Sequence, residues 1–279
     1  MLLAVVVCVL VAAGAIVRWQ WPDAQAPDTR APGVSDGDGT PKAGAAFWTP
    51  GPGTTWQWQL SGTVDQSVDV QVYDIDGFTN NAGVVASLHA AGRKVICYLN
   101  AGAAEDFRSD YRKFPAAVVG KGLDGWPGER WLDIRRWDVL QPIMAARFDV
   151  CRSKGFDAVE PDNVDGFAND SGFPLTAADQ LRYNRRIAAL AHSYGLSVGL
   201  KNDLEQVTDL VNDFQFAVNE ECAAYGECDE LTPFTDAGKA VFHVEYSDEP
   251  CRKKIPPGFS SLRKNLELDA FVKTCTPRR

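Results

Sequence analysis

The chain has 279 residues, 45% of them apolar, with a formal net charge of −9 and a pI near 4.9. That is length enough for one large domain or two small ones, with a full core. The acidic balance argues against nucleic acid or an anionic membrane surface as partner, and suits a neutral or cationic ligand.

The N-terminus, "MLLAVVVCVLVAAGAIV", is an apolar run without a basic n-region. Residues 1–21 are expected to be a signal peptide or a membrane anchor. "AGA" and "AQA" offer small-x-small cleavage sites, and Arg18 fits an uncleaved anchor. Cys8 lacks the small-residue context of a lipidated cysteine. Residues 22–46 are rich in Pro, Gly, Asp and Ala and have no apolar period, which predicts a disordered linker. A single domain is expected over 47–279, secreted or held at the outer face of the cell membrane, and monomeric.

From Trp48 onward, short apolar runs alternate with helical stretches. Eight strand candidates follow in order: "TWQWQLSG" (55–62), "VDVQVYDID" (68–76), "KVICYLNAG" (94–102), "RWLDIRR" (130–136), "DAVEPDNVD" (157–165), "LSVGLKND" (196–203), "FQFAVNEEC" (214–222) and "AVFHVEYSD" (240–248). Between them, "LHAAGRK" ends a helix at Gly92. "LQPIMAARFDVCRSKG" puts Leu140, Ile143, Met144, Phe148 and Cys151 on one face and stops at Gly155. "TAADQLRYNRRIAALAHSYG" opens at Thr176, a good N-cap, and stops at Gly195. This rhythm predicts an α/β fold, a somewhat irregular (β/α)8 TIM barrel whose first two strands are joined too briefly for a helix. An open doubly wound sheet is the alternative, but no glycine-rich phosphate loop follows any strand.

Active sites of such barrels lie at the C-terminal ends of the strands. Those ends carry Trp58, Asp74, Tyr98, Asn100, Asp133, Arg135, Glu160, Asp162, Asn163, Lys201, Asn202, Glu220, Glu221, Glu245 and Tyr246. Several have plain structural readings. Asp76, Asp165 and Asp203 suit turns or caps, Asp133 and Arg135 suit a local ion pair, and Lys201 suits a counter-charge that keeps carboxylates ionised. Asp162 and Glu220 are harder to dismiss, because each ends an apolar strand with a second acid nearby. His89, His192 and His243 are scattered, and no GxSxG or HExxH motif occurs. No cofactor is expected. Paired carboxylates with aromatics are the equipment of glycosidic cleavage.

Six cysteines follow the export segment: Cys97, Cys151, Cys222, Cys228, Cys251 and Cys275. An even number after an export signal predicts disulfides. Cys222–Cys228 and Cys251–Cys275 are the local choices, which leaves Cys97–Cys151. A zinc site is the rival, without a CxxC pair or a nearby His.

Taken together, "TTWQWQLSG", "VYDIDGF", "VICYLNAG", "WLDIR", "GFDAVEPDNVDGF", "GLKND" and "VNEEC...YGEC" resemble glycoside hydrolase family 114, the endo-α-1,4-polygalactosaminidases, over residues 48 to 248. The resemblance implies a TIM-barrel-like fold and hydrolysis of internal α-1,4-galactosaminidic bonds in a galactosamine-rich polysaccharide. It places the two catalytic carboxylates on Asp162 and Glu220, with Glu221 as reserve for Glu220. Asp162 is expected to be the nucleophile and Glu220 the general acid/base. Asp74, Asp133 and Glu160 are expected to face a cationic sugar chain, and Trp58, Tyr98 and Tyr246 to stack on it. A non-catalytic carbohydrate-binding barrel and a metal-dependent hydrolase with carboxylate ligands are the alternatives.

Overall fold

Glycine stops and strand-forming runs set the element boundaries. The computed structural model describes residues 47–253 and 255–275, so the expected export segment and linker lie outside the described residues. In chain order the elements are β1 Trp56–Gln59, β2 Val72–Asp76, α1 Ala82–Ala90, β3 Lys94–Asn100, β4 Ala103–Glu105, β5 Val119–Leu123 and β6 Trp126–Leu132. These are followed by α2 Trp137–Lys154, β7 Ala158–Asp162, α3 Ala177–Ser193, β8 Ser197–Lys201, α4 Val207–Leu210 and β9 Phe216–Glu220. The chain then forms α5 Cys222–Tyr225, α6 Thr232–Asp236, β10 Val241–Glu245, β11 Phe259–Arg263 and β12 Lys273–Thr274.

The long helices begin and end where their chemistry dictates. Thr176 and Asp179 form a reciprocal capping box at the start of α3. α2 ends on Gly155, whose φ of 91° is open to a residue without Cβ. Among the described residues, no helix is long and apolar enough to cross a membrane.

The main sheet runs β1-β2-β3-β7-β8-β9-β10-β11-β12, parallel throughout except for the last pair. Its eight parallel strands curl into an irregular TIM barrel. At the two ends of the curl, Trp56 Nε1 of β1 donates to Ser260 O of β11 at 2.8 Å. Among the described residues, no α-helix lies between β1 and β2 or between β10 and β11, so the irregularity expected at the first connection is matched by another at the last.

One strand assignment is corrected. "RWLDIRR" does not form a barrel strand, because β3 pairs directly with β7. Trp126–Leu132 instead forms an antiparallel sheet with β4 and β5, inserted between β3 and α2. The eighth barrel strand is β11, "FSSLR", whose serines hide it from any apolar count.

Side-chain alternation separates two cores. Trp56, Val72, Ile96, Ala158, Phe216, Val218, Phe242 and Val244 fill the barrel interior. Tyr73, Ile75, Val95, Cys97, Val159, Val198, Ala217 and Val241 pack outward with residues of α1, α2 and α3. Three disulfides are present: Cys97–Cys151 ties β3 to α2, Cys222–Cys228 closes the turn after β9, and Cys251–Cys275 clasps the C-terminal segment. Cys222, Cys228 and His243 lie close enough to hold a metal ion, but both sulfurs are committed to the disulfide.

Candidate active site

The inward parity of each strand, followed to its C-terminal end, decides which polar residues meet. On β7 the inward row is Ala158, Glu160, Asp162; on β8 it ends in Lys201, and on β9 in Phe216, Val218, Glu220. These side chains converge on the Lys201 ammonium. Its Nζ lies 2.8 Å from Asp162 Oδ1, 2.7 Å from Glu220 Oε2 and 4.0 Å from Glu160 Oε1. Bonded to one nitrogen, the Asp162 and Glu220 oxygens stand at most 5.5 Å apart, the sum of their two distances to it.

Asp162 is held at both carboxylate oxygens and at its carbonyl. Tyr98 OH donates to its Oδ2 at 2.6 Å and the Asn163 N–H to its Oδ1 at 2.8 Å. Its carbonyl accepts from the N–H groups of Ala101 and Gly102, both at 3.0 Å. Gly102 is required there, since a Cβ would sit 1.6 Å from Asn163 O. Burial acts to raise the Asp162 pKa, but Lys201, the Tyr98 hydroxyl and the Asn163 amide outweigh it and hold the carboxyl below its ordinary value. Lys201 also resists its own burial: Asp162, Glu220 and Glu160 keep it protonated, well above the usual lysine range. Glu220 accepts from Tyr246 OH, and its backbone N–H donates to Asn202 Oδ1 at 3.0 Å.

The chain leaves three successive strands through left-handed backbone: Asn163 at φ 58°, Asn202 and Asp203 at 49°, and Glu221 at 61°. Asn and Asp tolerate this conformation, whereas Glu221 is strained by it. The turn at Glu221 separates it from its neighbour, and Glu220 alone of the two contacts Lys201.

Other expected contacts are corrected. Trp58 is 1% exposed and packs under Lys201, 5.2 Å from ring centroid to Nζ, so it offers no face to a sugar. Asp74 and Glu160 are fully buried and pack against each other, and cannot face a polymer. Asp133 and Arg135 follow β6 and pair with one another at 2.7 Å, the plain structural reading. Asn100 is fully buried, accepting from the Ala103 N–H and donating to Glu129. Glu245 has outward parity: its Oε1 accepts from the Ala223 and Ala224 N–H groups at the start of α5 and bonds His243 Nε2. Ser261 Oγ bonds the other nitrogen of that histidine. The row Ser261–His243–Glu245 imitates a nucleophile relay, but it is buried in packing and serves as scaffold.

Three further acids stand out here: Glu129, which sequence reading passed over, and Asp165 and Asp203, which it gave to turns or caps. Glu129, on the inserted sheet, is pushed up to about 8 by burial and then by Glu105 and Asp162. Asp165 is raised to about 6 by burial and Asp162, and Asp203 to about 8 by burial and Asp165. Asp165 and Asp203 carried a signal in their proximity to "EPDN" and "LKND". Glu129 carried none, because its strand lies outside the barrel.

Exposed aromatic faces lie in the segments that follow the strands: Phe107 and Trp126 in the excursion after β3, and Tyr225 in α5 after β9.

Comparison with known proteins shows the family. A family model, Glycoside-hydrolase family GH114, matches residues 37–278. The crystal structure of Ega3 from Aspergillus fumigatus, in complex with galactosamine, is 41% identical with a TM-score of 0.79, and the match covers 84% of this chain and 100% of that one. The glycoside hydrolase domain of PelA from Pseudomonas aeruginosa shares the fold at 12% identity and a TM-score of 0.60, covering 80% of this chain and 99% of that one. An uncharacterized protein of Deinococcus radiodurans is 29% identical over 209 residues, 67% of each chain. The chain belongs to glycoside-hydrolase family GH114 and is a glycoside hydrolase.

Proposed function

We propose that the protein is a secreted enzyme that cleaves internal α-1,4-galactosaminidic bonds in a galactosamine-containing polysaccharide, with Asp162 as nucleophile and Glu220 as general acid/base. The observation that carries this reading is the pair of carboxylates sharing Lys201, with facing oxygens no more than 5.5 Å apart. The reading is double displacement, in which the carboxyls stand about 5–5.5 Å apart, rather than inversion, in which roughly 6.5–9.5 Å leave room for a water.

Asp162 is suited to attack because it stays ionised despite burial. Its oxygen bonds the anomeric carbon as the glycosidic C–O bond breaks, and Glu220 delivers its proton to the departing oxygen. Glu220 then takes a proton from water as that water releases the sugar from Asp162. Lys201 balances the charge that moves between them. Tyr98 and Tyr246 orient the two acids through their hydroxyls.

The galactosamine bound in Ega3 supports an aminated substrate. So does the local excess of acid, since the half-buried Glu129 and Asp165 lie near the same lysine as Asp162 and Glu220. Phe107, Trp126 and Tyr225 replace Trp58 as the faces on which sugar rings stack. Three disulfides fit an oxidising compartment. The domain from 47 onward, monomeric and released or tethered by residues 1–21, completes the reading.

The test is reducing-end release from partially deacetylated α-1,4-galactosaminogalactan. Wild type is expected to release ends, and Asp162→Asn and Glu220→Gln, shown folded by circular dichroism, are expected not to. Binding without release by wild type would leave a carbohydrate-binding barrel. Inhibition by EDTA, reversed by added metal, would mark a metal-dependent hydrolase.

A further inference from the structure

Asp74 of β2 and Glu160 of β7 lie inside the barrel, beneath the two acids assigned to chemistry, and both are fully buried. None of their four carboxyl oxygens accepts a bond from an N–H group or a hydroxyl. The two carboxyls lie against each other instead. Two adjacent acids, fully buried and with no donor to any oxygen, cannot both carry a charge, so one of them keeps its proton. The charged groups facing the pair are Lys201 from β8 and Asp162 further along β7. Lys201 Nζ lies 4.0 Å from Glu160 Oε1, close enough for strong attraction in a water-excluded interior. That attraction keeps one of the two acids ionised.

We propose that Asp74 and Glu160 are positioning residues that share a single proton and set one fixed negative charge against Lys201, behind Asp162 and Glu220. The pair fixes the ammonium from below while its hydrogen-bonding reach goes to the two acids above. Burial raises both carboxyls, Glu160 well above the ordinary value, in keeping with a retained proton. The role rests on the catalytic assignment of Asp162 and Glu220, whereas the shared proton does not.

Two readouts separate those parts. Infrared difference spectra at neutral pH, wild type against Asp74→Asn and against Glu160→Gln, are expected to show one deuterium-sensitive carboxylic acid band in wild type. Either single substitution should remove it entirely, because the amide then donates to the remaining carboxylate. The double variant should show no further loss. Absence of any lost band would mean that both acids are ionised. A second band lost only in the double variant would mean two protons. Either result overturns the proposal, and neither requires turnover.

The second readout is the pH profile of kcat/KM on the galactosamine polymer. Each single amide variant keeps the single negative charge and should keep the positions of both limbs. The double variant removes the charge, so the carboxyls above ionise more easily and both limbs should move to lower pH by roughly one unit. Limbs that stay in place in the folded double variant would contradict the positioning role. A wild type that hydrolyses nothing would contradict the functional assignment while leaving the infrared result standing. Both single variants are near-isosteric, so the infrared comparison stands if the double variant does not fold.

Discussion

Two buried charge clusters flank β3, and they are built on opposite principles. On the outer side, Arg108 and Arg147 meet Asp76, Glu105 and Asp110. Arg147 grips Asp110 with two bonds of 2.8 and 3.0 Å, and Arg108 bonds both oxygens of Asp76 and reaches Glu105 at 3.0 Å. Both guanidinium groups lie over the ring of Phe78, at 4.8 and 5.4 Å from its centroid. Here two planar forks grip three carboxylates with paired hydrogen bonds, and the cluster anchors the inserted sheet to β2 and α2. Inside the barrel, Lys201 faces Asp162, Glu220 and the Asp74–Glu160 pair, with Asp165 and Glu129 close by. Acids exceed bases there, and several carboxyls sit far from their ordinary values. A cluster held by two guanidinium forks is a fastening; one in which a single lysine faces many acids stores the perturbed acidities that catalysis uses.

The contrast predicts that the same kind of substitution has different consequences in the two places. The largest effect is expected inside the barrel, where Glu220→Gln should lower kcat by roughly 10²–10⁴-fold with little change in thermal stability. Asp162→Asn should cost at least as much. A variant that kept its turnover would remove that residue from the chemistry. In the outer cluster, Arg147→Met should cost about 3–5 kcal/mol of stability by denaturant unfolding, because Asp110 is left buried and unpaired. The folded fraction should still turn over substrate. A cost below about 1 kcal/mol would deny the cluster its fastening role.

A third prediction concerns pH. Lys201 holds Asp162 below its ordinary pKa, so Lys201→Met should move the acid limb of kcat/KM upward by roughly 1–3 units. An unmoved limb would mean that the lysine does not govern the nucleophile. The smallest effect is expected at Asp203, raised to about 8 by burial and Asp165. Its native carboxyl keeps a proton that the unfolded chain releases near pH ~4. Its stabilising contribution is therefore full below about pH 4 and fades as pH climbs through about 8. Asp203→Asn cannot ionise, so its melting temperature should fall less over that interval than that of wild type. Parallel melting curves would show that Asp203 is not protonated in the fold.

Much of this was legible in the sequence, for reasons that particular residues make plain. Gly92, Gly155 and Gly195 end helices by allowing positive φ, so the βα rhythm could be read locally. "EPDN", "LKND" and "NEEC" lie at strand ends where a barrel keeps its site, and Asp162, Lys201 and Glu220 meet there. Parity would have corrected Glu245, since Val244 points inward and its neighbour must point out. Depth was harder to read: Trp58 and Asp74 share the inward parity but lie too far down the barrel to meet a ligand. The antiparallel excursion was not legible, because "RWLDIRR" looks like any strand until its partners are known. β11 was missed for the converse reason, since Ser260 and Ser261 break the apolar run.

The measurement that tests the central claim most directly is proton NMR of the first product released from the α-linked galactosamine polymer, before mutarotation. Double displacement through Asp162 requires the new reducing end to appear first as the α-anomer. If the β-anomer appears first, a water and not Asp162 attacks the sugar, and the arrangement of Asp162, Lys201 and Glu220 has been misread.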